Sequence, residues 1–139
     1  MVRWRWDCTR RGCFVASGRQ LDLEIFDGLL PGASSFSDVD GFTERRGRFL
    51  FIEAKGEGVP VPGNEGQGRA LRQLATLPGV TVWFIRPLGD RWQWRDLGAG
   101  PRAPLVTLTK PELDARVWAW GLAADRGEDV TFCPHAEAG

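Results

Sequence analysis

Three residues carry the chemistry that this sequence suggests: Asp40, Glu53 and Lys55. The stretch "FLFIEAKGEG", residues 49–58, runs large apolar side chains directly into Glu53 and Lys55, then into glycines. In an extended strand Phe49, Phe51, Glu53 and Lys55 share one face, and Leu50, Ile52 and Ala54 share the other. A carboxylate placed beside phenylalanines needs a proton, a cation or a metal ion. Upstream lies "FSDVDGFTE", residues 36–44. With Arg46 and Gly47 as the two turn residues of a hairpin, Arg45 faces Arg48, Thr43 faces Leu50 and Asp40 faces Glu53. The same register sets Asp38 opposite Lys55. Opposed residues of an antiparallel pair hold their Cβ atoms about 5 Å apart. Two carboxylates that close repel unless a cation sits between them. A hard divalent ion resolves the conflict, and magnesium or manganese suits carboxylates and water. The expected ligands are Asp40, Glu53 and the Ala54 carbonyl, with Asp38 competing with Asp40. Such an ion polarises a phosphodiester and acidifies a bound water. Lys55 would orient or deprotonate that water, or neutralise charge on the phosphorane.

The elements that must position these residues are legible around them. Residues 36–44 and 47–55 read as two strands, and "GEGVPVPGNEG" as a loop. A helix is expected from about Glu65 to Leu77, capped by Asn64, with Leu71, Leu74 and Leu77 on its apolar side. "VTVWFIRP" reads as a strand and "DRWQWRDL" as a more exposed one. "PLVTL" pairs with the sheet or ends it. "TKPELDARVWAWGLAAD" reads as a closing helix, with Thr109 as cap and Pro111 in its first turn. Residues 19–30, "RQLDLEIFDGLL", fit a helix or a strand equally. Strand, strand, helix, strand implies an α/β or α+β sandwich, taken as one domain over 1–139.

Asp40 followed by Glu53-Ala54-Lys55 at the end of an apolar strand resembles the PD-(D/E)XK nuclease superfamily. "SDVDG", residues 37–41, stands at the family's first acidic position without its proline. "EAKGEG…EGQGRAL" is similar to small nucleases of the VRR-NUC type and to short phage-encoded relatives. The resemblance covers about residues 19–86. It implies a restriction-endonuclease-like core, a mixed central sheet flanked by helices, and metal-dependent cleavage of DNA, endonucleolytic or exonucleolytic. It also implies that Gln67, early in the next helix, helps hold the site, and that Glu24 completes the metal shell.

Other residues have simpler readings beside functional ones. Arg45 and Arg46 cluster with Arg48, and Arg69 and Arg72 lie off the apolar side of the helix; all four of Arg45, Arg46, Arg69 and Arg72 are candidates to meet phosphate. The tryptophans at 92, 94, 118 and 120 are chiefly packing material, although Trp92 and Trp94 share a strand face on which bases would stack. Cys8, Cys13, Cys133 and His135 would make a structural zinc set if the ends of the chain meet. They would otherwise be free thiols and a histidine in a reducing compartment.

Composition bounds the partners. Eighteen basic residues balance eighteen acidic ones, so the chain does not coat nucleic acid with a broadly basic surface. No apolar run approaches a membrane span and none after Met1 resembles a signal peptide, which makes the cytoplasm the expected setting. DNA is the expected partner. A site that cuts one strand at a time makes a homodimer an expectation for duplex cleavage. The alternative function is a nuclease fold used as a non-catalytic subunit that binds nucleic acid or protein.

Overall fold

The computed structural model describes Leu29, Pro31, residues 39–63, 66–100 and 103–130, and Phe132. The secondary structure of the described residues belongs to one compact unit, Val39–Gly139. Five strands form one mixed sheet in the order β1-β2-β3-β4-β5: Gly41–Arg45, Arg48–Ala54, Val80–Leu88, Arg91–Asp96 and Val106–Leu108. Helix α1, Gly66–Leu74, links the parallel pair β2 and β3; helix α2, Lys110–Asp125, follows β5. The other neighbouring strands are antiparallel.

The hairpin register is the one its turn dictates. Arg46 and Gly47 have φ values of 52° and 80°, the left-handed pair that a two-residue hairpin turn requires. Glu44 tightens the turn by accepting the Gly47 N–H at 2.6 Å. Arg45 then pairs with Arg48, Thr43 with Leu50 and Gly41 with Ile52. Asp40, one residue before that last pair, falls opposite Glu53.

Alternation along the strands divides the core in two. Leu50, Trp83, Trp94 and Leu108 join Leu113, Trp120 and Ala124 of α2 on one face. Val82, Phe84 and Leu97 join Leu71 of α1 on the other, with Phe51 and Leu74 at its margin. Each fully buried side chain of this size contributes roughly 1.5–3 kcal/mol, so Trp83 and Phe84, both fully buried, anchor opposite faces of β3. Helix α2 starts where its sequence says: Thr109 accepts the Glu112 N–H, and proline occupies the first turn.

Several expectations need correction. Helix α1 ends at Leu74, and residues 75–79 form turns in which Leu77 is 52% exposed. The Pro78-Gly79 break unwinds the last expected turn early, and Thr76 Oγ1 caps the Gln73 carbonyl at 2.7 Å. Strand β4 is more enclosed than its polar alternation suggests: Trp94 is buried, and every other residue of the strand except exposed Arg91 is partly buried. Trp94 is buried, edge-on to Trp83 with ring centroids 5.5 Å apart, and Trp92 packs against the same cluster, so neither presents a face to a base. Trp118 is the outward one, 71% exposed on α2. No helix among the described residues is long and apolar enough to cross a membrane.

Candidate active site

The site forms where β2 leaves the sheet. Glu53 lies on the α1 face, in register with Phe84 of β3, and is 2% exposed. Its neighbours on that face are apolar, so its charge has to be met locally. Lys55 meets it: Lys55 Nζ lies 2.7 Å from Glu53 Oε1. Lys55 is still held at the sheet by its backbone, which donates to the Ile85 carbonyl at 3.0 Å, so its side chain follows the strand alternation onto the face of Glu53.

Asp40 closes the other side. Its Oδ2 accepts the Ala54 N–H at 2.9 Å, across the open end of the hairpin. Burial pushes the Glu53 carboxyl above its ordinary range, and the neighbouring Asp40 charge pushes the same way, against the opposing pull of Lys55. Two acidic groups and one cation thus converge at this strand end.

Helix α1 supplies a fourth group. Lys55 Nζ donates to Gln67 Oε1 at 3.3 Å. Gln67 reaches Lys55 because the helix start is pressed close to the preceding loop. A Cβ added to Gly68 would lie 2.0 Å from the Gly63 carbonyl oxygen, so only glycine permits this approach. Neither the strand nor the helix pattern marks Gly68 as part of the site. Its signal was a second glycine inside "GQGRAL", a costly residue within a helix unless a backbone comes near.

The expected residues therefore divide. Asp40, Glu53, Ala54, Lys55 and Gln67 are brought together. Glu24, Asp38, Cys8, Cys13, Cys133 and His135 lie outside the described residues. Arg45 and Arg46 sit at the turn, a full β2 length (about 20 Å for seven residues) from the site. There Arg45 forms a two-pronged pair with Asp125 at 2.7 and 2.8 Å, and Arg46 reaches the same carboxylate at 3.3 Å. Arg69 is exposed on α1, and Arg72 is half-buried beside it.

Among the described residues, no group of three or more His, Cys, Asp or Glu side chains is arranged to hold a metal ion. Asp40 and Glu53 are two carboxylates, and the Ala54 carbonyl adds a third hard oxygen. That donor set fits magnesium, which keeps several waters and takes one or two carboxylates, better than an ion needing a full protein cage. Comparisons with protein-family models, curated proteins and solved structures give no match.

Proposed function

We propose that this protein is a divalent-metal-dependent deoxyribonuclease with a restriction-endonuclease-like core of the PD-(D/E)XK kind. One observation carries the reading: buried Glu53 of β2, Lys55 just after β2, Asp40 just before β1 and Gln67 of α1 converge at one end of the hairpin. A core without a function gains nothing from seating two carboxylates side by side.

Asp40, Glu53 and the Ala54 carbonyl would hold magnesium or manganese, with Asp38 and Glu24 as further candidates. When bound, the ion supplies Lewis-acid polarisation of a phosphoryl oxygen and a more acidic water. The chain's own residues do the rest. Asp40 and Glu53 would meet the cation as carboxylates, Glu53 trading for it the proton that burial favours. Gln67 and Glu53 grip the Lys55 ammonium from two sides, fixing its charge where negative charge accumulates on the phosphorane. A P–O bond forms to the water oxygen as that water gives up a proton to solvent, the P–O bond to the leaving oxygen breaks, and the leaving oxygen takes a proton from a solvent water.

A second reading has its own support. The Lys55–Glu53 pair and the Asp40–Ala54 hydrogen bond satisfy one another without an ion, as a non-catalytic binding subunit would need. Incubation with linear, circular, nicked and branched DNA, with and without magnesium or manganese, separates the two. The nuclease reading expects cleavage of at least one substrate only when the ion is added. Four intact substrates with either ion would reject it.

A further inference from the structure

The α1 face of the sheet carries an arginine cluster beside the site. Phe84 of β3 pairs with Glu53 on one side and with Arg95 of β4 on the other. The three share one face, so Arg95 lies two strand spacings, about 10 Å, from Glu53. Arg86 follows Phe84 by two residues on that same face, its guanidinium 5.9 Å from the Phe84 ring centroid. Arg72 approaches from α1.

Three guanidiniums this near one another oppose each other. Burial, then the charges of Arg72 and Arg86, pull the Arg95 guanidinium below its ordinary range, with no offsetting acid among the described residues. Their partners are neutral. Arg86 donates to the Gln93 side chain and the Val59 carbonyl; Arg72 donates to the Pro62 carbonyl at 3.4 Å. These bonds hold the loop after Lys55, yet their neutral acceptors do not compensate the positive charge. Arg72 Nε and Nη1 and Arg95 Nε are buried N–H groups with no acceptor among the described residues. Leaving such donors unmet is costly, and more so when they are charged. An arrangement that concentrates charge and withholds acceptors is built for an anion from outside.

We propose that Arg72, Arg86 and Arg95 form a phosphate-binding subsite for a non-scissile phosphate of the bound strand. Planar guanidiniums match phosphate oxygens in pairs, which a solvated ammonium cannot do. The identity of the strand rests on the nuclease reading; the affinity for phosphate does not.

The test uses the full chain in EDTA. Inorganic phosphate should raise the wild-type melting temperature above that in chloride of equal ionic strength, and Arg95→Gln should abolish the shift. A single-stranded DNA 12-mer with a 5′-hydroxyl should bind Arg95→Gln about tenfold more weakly. The slope of log affinity against log salt should fall by about one. In phosphate-free buffer the variant should melt no lower than wild type, because a like charge has been removed. Arg72→Gln should behave similarly toward phosphate. An unchanged phosphate shift in both variants, or unchanged oligonucleotide affinity and salt slope, would overturn the subsite. A lower melting point of Arg95→Gln in phosphate-free buffer would assign Arg95 a structural role and overturn it too. Loss of the phosphate shift together with absence of cleavage under every metal condition would instead keep the subsite and remove the nuclease reading.

Discussion

Asp40 and Ala54, fourteen residues apart, are tied by a 2.9 Å hydrogen bond from the Ala54 amide to Asp40 Oδ2. The bond sets one carboxylate beside Glu53 and leaves the Ala54 carbonyl at the same strand end. Calorimetric titration with manganese should therefore show binding that weakens by at least ~10-fold in Asp40→Ala, where a ligand and its orientation are lost together. The variant should remain folded, since one exposed hydrogen bond contributes only about 1 kcal/mol. Equal manganese affinity in wild type and Asp40→Ala would remove Asp40 from the ligand set.

Glu53 gives the site a pH signature. Its folded-state carboxyl titrates above the ordinary value, chiefly through burial. Between the unfolded and folded values the native state holds the extra proton, so stability falls as pH rises through that window. Glu53→Gln removes this loss. In metal-free buffer the wild-type melting temperature should drop, relative to Glu53→Gln, as pH climbs from the ordinary carboxylate range. Manganese should restore it, increasingly so at higher pH, because the ion competes with the proton. Parallel melting curves across pH for the two proteins would contradict this assignment.

Gly68 should prove intolerant of even one methyl. Gly68→Ala drives a Cβ toward the Gly63 carbonyl, so helix or loop has to move. A destabilisation of about 1–3 kcal/mol is expected. The displaced Gln67 should also loosen its hold on Lys55. Thermal denaturation and cleavage assays on the same preparation check both effects. A variant as stable and as active as wild type would show that the close approach is unnecessary.

The parts of this fold that sequence reveals are those fixed by local rules. A two-residue turn allows one register, so Arg46-Gly47 sets Asp40 opposite Glu53 before any tertiary contact is known. Thr109 and Pro111 likewise announce the start of α2. The arginine subsite was hidden because it depends on what covers β4. In "RWQWRD", Trp92 and Trp94 take one face and Arg91, Gln93 and Arg95 the other, a pattern that reads as half-exposed. Only the distant pairing of Phe84 with Arg95, and the approach of Arg72 from α1 and Arg86 from β3, bring three guanidiniums together on that second face. Gln67 is expected only from the resemblance to a nuclease family, whereas its contact with Lys55 depends on the Gly63–Gly68 approach, which no periodicity encodes.

Lys55 is the most direct test of the central claim that this strand end hydrolyses phosphodiesters. Lys55→Met keeps most of the stem and removes the ammonium that Glu53 and Gln67 hold. Lys55→Arg keeps the charge but replaces a point donor with a planar fork, so rescue should be incomplete. DNA cleavage rates should be measured for wild type and both variants at saturating manganese, with folding and manganese binding checked on the same samples. The account predicts a folded, manganese-binding methionine variant whose cleavage is slower by ~100-fold or more, the scale of a lost transition-state contact. Cleavage by Lys55→Met at close to the wild-type rate would contradict it.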